Sequence, residues 1–162
     1  MLGKKYMDKV IEVLTKLNIE YEIIEHAPVY TVEEVEKIEN MIDGIGCKNL
    51  FLKDKSNNYF LYVLYSQKKA DLKSLQKKLQ CGRLSFASEE ELYEMLKLNK
   101  GSVSPLGIIN NKECNVIVIL DGELENKKLL MHPNLNTFTI SMGYNDLIKF
   151  INYCNNKYII YK

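Results

Sequence analysis

Lys48 stands where a cation is costly, just after Gly44-Ile45-Gly46 and just before the largely apolar run Asn49-Leu50-Phe51-Leu52. An ammonium buried without a partner is unfavourable. This lysine therefore either snorkels at a strand end or meets an anion, such as a phosphate or a developing oxyanion. A second group is the turn-rich stretch Gly101-Ser102-Val103-Ser104-Pro105-Leu106-Gly107. Such a loop leaves backbone N–H groups that can hold an oxygen-bearing ligand, or it is simply a connection. The third is His132-Pro133-Asn134-Leu135-Asn136-Thr137, which sets a histidine, amides and a hydroxyl beside a proline. These groups donate and accept in fixed directions, although a lone histidine is more often structural than catalytic.

Other chemistries find less support. No Ser/His/Asp or Cys/His triad is suggested by order or spacing. Cys47, Cys81, Cys114 and Cys154 are far apart and form no C-x-x-C, and only His26 and His132 could join them. A metal site is therefore not expected, nor is a cofactor. Cys47 reads as a buried structural thiol in spite of its neighbour Lys48. Lys68, Lys69, Lys73, Lys77 and Lys78 form the one local basic cluster. Lys69, Lys73 and Lys77 repeat at i, i+4, i+8 on one helix face, which is either solvated or a contact for an RNA backbone.

The elements that must position these groups follow from periodicity and caps. Val10, Val13, Leu14 and Leu17 give an amphipathic helix from Lys4 to Leu17. Tyr21–Ile24 reads as a short strand. Thr31 with Glu34 forms a capping box for a short helix, as Ser88 with Glu91 does for another. Cys47–Leu52 and Tyr59–Tyr65 form a hairpin around Asp54-Lys55-Ser56-Asn57-Asn58. Asp71 caps a helix to Leu79. Val116–Leu120, Leu129–Met131, Thr137–Ile140 and Tyr158–Tyr161 are further strands, with a helix from Tyr144 to about Tyr153. Strands and helices are interspersed without regular βαβ units, which favours a mixed sheet with peripheral helices.

The chain is 162 residues, long enough for one compact domain, 1–162, with a proper core. Lys+Arg 22 against Asp+Glu 21 leaves a formal charge of +1, so any nucleic-acid contact must be a local patch. Met1 to Lys5 lead straight into the amphipathic pattern without an apolar signal-peptide core. No apolar run approaches the roughly 20 residues of a membrane span. A reduced, cytoplasmic setting is the default.

Taken in order, His26-Ala27-Pro28-Val29-Tyr30-Thr31, Cys47-Lys48-Asn49-Leu50-Phe51-Leu52, Lys69-Ala70-Asp71-Leu72, Arg83-Leu84-Ser85-Phe86-Ala87, Gly101-Ser102-Val103-Ser104-Pro105 and His132–Thr137 resemble the prolyl-tRNA synthetase editing-domain superfamily. The likeness covers nearly the whole chain. It implies an α+β domain, a mixed and mostly antiparallel curved sheet flanked by helices. It also implies a free-standing hydrolase that deacylates mischarged tRNA in trans, most like the branch that clears alanyl-tRNA(Pro). A sister branch clears cysteinyl-tRNA(Pro), and a homologue that only binds a synthetase or tRNA is a further alternative. A small-molecule ester or amide hydrolase is the least favoured, for want of a nucleophile.

By the same resemblance, Lys48 matches the family's key lysine and would hold the terminal phosphate or ribose. Gly101–Pro105 matches its Gly-x-x-x-Pro loop. Amides of Gly101 and Ser102 would receive the oxyanion, one such donor being worth roughly 3 kcal/mol. Val103, Ser104 and Pro105 would adjoin the substrate, and His132, Asn136 and Thr137 would line the amino-acid pocket or order the water. The tRNA's own 2′-hydroxyl would assist, so no side-chain nucleophile is required. Rejection of proline needs a steric wall, since attraction separates small apolar groups by only about 1–3 kcal/mol; Thr31, Phe51 and Leu106 are the candidates. Lys68, Lys69, Lys73 and Lys77 would touch the acceptor end of tRNA(Pro). Prolyl-tRNA synthetase or an elongation factor is the expected escort, with no membrane and no DNA.

Overall fold

The structure, a computed structural model, describes residues 2–162; Met1, at the head of the Met1–Lys5 segment, lies outside the described residues. One mixed sheet runs in the order β1-β7-β6-β2-β3-β5-β8, with β4 attached to β2. These strands are β1 Glu22–Glu25, β2 Ile45–Lys53, β3 Tyr59–Tyr65, β4 Ser85–Phe86, β5 Val116–Asp121, β6 Lys128–Met131, β7 Phe138–Gly143 and β8 Tyr158–Tyr161. The expected β2–β3 hairpin is antiparallel, with Lys48 opposite Leu64. The pairs β1·β7, β6·β7 and β2·β4 are antiparallel too, while β2·β6, β3·β5 and β5·β8 are parallel. Strand β4 was not expected, because two residues are too short to show alternation.

Alternation along β3 and β5 builds the core on both faces of the sheet. Leu61, Val63, Val118 and Leu120 face one side and pack with α1 (Leu2–Lys16), α4 (Glu89–Leu96) and α5 (Tyr144–Tyr153). Phe60, Tyr62, Leu64 and Ile119 face the other, where Leu75 of α3 (Leu72–Leu79) covers them together with Leu52. Strands buried on both faces read as continuous apolar runs, which is why Tyr59–Tyr65 lacks polar alternation. Tyr62 and Asp121 enter this interior as a pair, the Tyr62 hydroxyl donating to Asp121 at 2.9 Å.

The helix starts follow their caps. The Thr31 hydroxyl accepts from the Glu34 amide at 3.2 Å, and Glu34 returns a bond to the Thr31 amide, so α2 begins at Val32 and runs to Glu39. Ser88 and Glu91 do the same for α4. The Gly101–Gly107 stretch is not all loop: Pro105–Asn110 forms a 3-10 helix that Ser104 caps, its hydroxyl accepting from the Leu106 amide at 3.2 Å.

Candidate active site

One edge of β2 is paired with β3 from Cys47 to Lys53. The opposite edge is paired only at its ends, with β6 at Ile45 and Gly46 and with β4 at Leu52 and Lys53. Beyond Gly46 the parallel strands β2 and β6 separate, and a gap opens where their carboxyl ends diverge. Gaps of this kind are where open sheets bind ligands. The Gly46 carbonyl accepts from Ser66 on the β3 side, and the Phe51 carbonyl accepts from Ala87 on the β4 side. The strand's alternation therefore turns the backbone groups of Asn49 toward the gap.

A cavity of about 290 Å³ fills the β6 end of this gap. Cys47, Lys48 and Asn49 line it from β2, and Leu130, Met131 and His132 from the diverging β6 side. Gly101 and Val103 close one side, and Val35, Ile38 and Glu39 of α2, at i, i+3 and i+4, close another. Val29 and Thr139 complete the wall. A Cβ at Gly46 would run into Glu39 Oε1, so that carboxylate lies directly over the strand backbone.

The electrostatics are sharply divided. Lys48 is half-buried and, among the described residues, has no carboxylate within 4 Å. Its ammonium is therefore free to pair with whatever enters. Burial and the nearby Glu36 raise the pKa of Glu39 above the ordinary carboxylate value. Burial also lowers the pKa of His132. The His132 Nδ1 lies 2.7 Å from the Phe138 carbonyl, which can only accept. The ring proton is therefore on Nδ1, and Nε2 keeps a lone pair free of intramolecular bonds. His26 stands behind it, with ring centroids 6.2 Å apart, and its Nε2 meets the hydroxyl of Thr139 at 2.7 Å. The Cys47 thiol is pushed up to about 12 by burial, which removes it as a thiolate nucleophile near neutral pH.

The loop requires one correction. The Ser102 amide donates to the Asn99 carbonyl at 3.0 Å and is not available to a substrate oxygen. Among the described residues the amides of Gly101 and Val103 have no such partner, and both residues line the cavity. Gly101 adopts φ +96, a conformation that L side chains rarely take. The Asn49 side chain fastens the loop to β2 by donating to the Val103 carbonyl at 3.2 Å. Ser104 and Pro105 are buried and anchor the loop through the 3-10 helix without lining the cavity.

The other expected residues fall at varied distances from this centre. Thr31 is exposed and engaged in capping α2. Phe51 is buried in the core, stacked on Tyr59 at 5.7 Å, and Leu106 is fully buried beside it. None of the three lines the cavity, whose apolar walls are instead Val29, Val35, Ile38, Val103, Leu130 and Met131. Asn136 and Thr137 are half-buried outside the lining; the Thr137 carbonyl accepts from the His26 amide at 2.8 Å and so holds that imidazole. Asn134, at φ +64, ties the same segment to the Leu106 carbonyl at 3.4 Å. Lys68 is paired with Asp121 at 2.9 Å, whereas Lys69, Lys73 and Lys77 are exposed. Glu39 and Thr139 carry no local motif, and only the folded chain reveals them.

Comparison with known proteins bears on the family and the fold. The family described as the aminoacyl-tRNA editing domain matches residues 26–150. The prolyl-tRNA editing protein ProX of Acetoanaerobium sticklandii is 46% identical over 145 residues, 88% of this chain and 88% of that protein. Prolyl-tRNA synthetase associated domain-containing protein 1 of Mus musculus is 32% identical over 157 residues, 93% of this chain and 92% of that protein. The crystal structure of hypothetical protein APE2540 superposes with TM-score 0.76 at 15% identity, covering 94% of this chain and 97% of that one. That of a proposed trans-editing enzyme for prolyl tRNA synthetase gives 0.75 at 17%, with 97% and 96% covered. At such identities the two structures speak for the fold.

Proposed function

The chain belongs to the aminoacyl-tRNA editing domain family, and on that footing we propose that it hydrolyses alanyl-tRNA(Pro), a product of prolyl-tRNA synthetase error. It is an aminoacyl-tRNA deacylase acting in trans, like the ProX protein it resembles over most of its length. The observation that carries the choice of a small amino acid is the cavity itself. At about 290 Å³ it lies at the low end of ligand sites, which run from about 300 to 1,000 Å³. Its apolar walls are mostly branched aliphatic side chains.

The residues support a division of labour. The ester carbonyl lies against the Gly101 and Val103 amides, which donate to the oxyanion as the tetrahedral intermediate forms. Lys48 holds the anionic phosphate or the ribose. Glu39, with no ion pair or hydrogen bond of its own among the described residues, receives the substrate's α-ammonium. Neutral His132 presents Nε2 to the water or to that amine. The attacking group is water, and no side chain is acylated. Val35, Ile38 and Met131 form the wall against a proline ring. The exposed lysines of α3 stand on the sheet face that alternation gives to Lys48, and they suit the acceptor-stem phosphates. Such an editor works alongside translation, in the cytoplasm.

A panel of alanyl-, cysteinyl- and prolyl-tRNA(Pro) tests this assignment. Alanine is released, prolyl-tRNA(Pro) survives, and Lys48→Ala abolishes release while the fold is kept. Hydrolysis of cysteinyl-tRNA(Pro) with alanyl-tRNA(Pro) left intact overturns the choice of alanine.

A further inference from the structure

The unpaired edge of β2 continues past the cavity toward β4, and a second hollow of about 330 Å³ occupies that end. It shares two walls with the cavity, Asn49 and Val103, so the two form one groove. Leu50, Phe86 and Lys100 also line it. Phe86 is 62% exposed, an unusual state for a phenylalanine in a strand. It has a cross-strand partner in Leu52, and so projects from the sheet face that carries Leu52 and, by alternation, Leu50 and Lys48.

We infer that this hollow is the subsite for the terminal nucleobase of the substrate, with Phe86 as its stacking platform. The inference rests on the deacylase assignment above. Lys48 and Leu52 are four residues apart, about 13 Å at the strand rise of 3.3 Å per residue. That is the scale of an aminoacyl group, a ribose and a base laid along an edge. With the ester at the Gly101 and Val103 amides, the ribose lies over Asn49 and the base reaches Phe86. Lys48 then holds the ribose, and Lys100, exposed at the rim, is placed for the phosphate that precedes the base. An aromatic ring recognises the π-face of a base and not its edge, so the subsite holds the end of any tRNA. Identity must then be read elsewhere, by the amino-acid pocket and the acceptor stem.

The sequence contains no tryptophan, so Phe86→Trp carries a single indole reporter. Titration of this variant with the trinucleotide cytidylyl-cytidylyl-adenosine quenches its fluorescence saturably, and the same chain with an abasic 3′ ribose does not. In kinetics, Phe86→Ala lowers kcat/KM on alanyl-tRNA(Pro) by about 5- to 150-fold, the range one base–aromatic stack is worth. On alanine carried by an abasic 3′ ribose, Phe86→Ala and the unaltered protein turn over equally. Phe86→Tyr restores the loss. The subsite is overturned if Phe86→Ala costs less than about twofold, or if it slows the abasic substrate as much as the intact one. Failure of the deacylase assignment looks different: the unaltered protein leaves alanyl-tRNA(Pro) intact while base-dependent quenching persists.

Discussion

Gly101→Ala separates the backbone geometry of the loop from the space around it. The added Cβ would meet nothing within 4 Å, so no overlap disturbs the result. What changes is φ, +96 in the structure and unfavourable for alanine. Holding an L-residue in such a conformation costs about 1–3 kcal/mol. Gly101 is exposed, so the segment can relax at less cost by turning φ negative. That rotation carries the adjoining amides away from the ester carbonyl. Loss of one oxyanion donor costs roughly 2.7–4 kcal/mol, or 10²–10³ in kcat. We expect kcat on alanyl-tRNA(Pro) to fall by about 100-fold, with Tm lowered by only a few degrees, since 1 kcal/mol moves a domain of this size by about 2–4 °C. Gly82→Ala is the control. Its Cβ would have only Lys55 at 3.9 Å, and the position lines neither the cavity nor the groove beside it. Single-turnover kinetics and a thermal melt on both variants decide the matter. A Gly101→Ala protein within about threefold of the original kcat refutes the role given to these amides.

Three further outcomes follow. Glu39→Gln lowers kcat/KM on alanyl-tRNA(Pro) by about 10- to 150-fold, the worth of a hydrogen bond to a charged group, but leaves lactyl-tRNA(Pro), which has a hydroxyl for the ammonium, unchanged; equal losses on both sink the assignment. The pH–rate profile has an acid limb below 6.5, because the depressed His132 pKa keeps the ring neutral until lower pH. By the same linkage His132 contributes stability that is present above its unfolded pKa and lost as pH falls through the folded value; a limb above 6.5, or one that survives in His132→Gln, contradicts this. Thr31→Ala removes the α2 cap at a cost of about 1 kcal/mol and raises KM by loosening Val35, Ile38 and Glu39, as amide exchange in α2 would register.

Elements whose cause is local were legible in the chain. Thr31 with Glu34, Ser88 with Glu91 and Asp71 announced three helices to the residue, since a cap is decided within four positions. The hairpin of Cys47–Leu52 with Tyr59–Tyr65 was equally plain, although its first strand extends from Ile45 to Lys53. The site was only half legible. Lys48, Gly101, Val103 and His132 do meet at one cavity. Motifs do not show hydrogen bonds made at a distance, so the commitment of Ser102 to Asn99 stayed hidden. Phe51 and Leu106 are apolar in type and lie beside motif residues, yet alternation and the 3-10 helix turn both into the core. Glu39 needed the crossing of α2 over Gly46, which no spacing along the chain encodes.

The seam between β2 and β6 has a consequence for how the protein is made. It joins Ile45 to Leu129 and Gly46 to Leu130, from opposite halves of the chain, through only two residue pairs. Closing so long a stretch is entropically opposed before any contact rewards it, and non-local pairing of this kind forms slowly. The lysine lies on a locally closed hairpin, whereas the histidine comes beside it only through the β2–β6 seam. Activity is therefore a late event on the folding pathway. A partly folded chain, or one still leaving the ribosome, carries the cation without the groups that direct it.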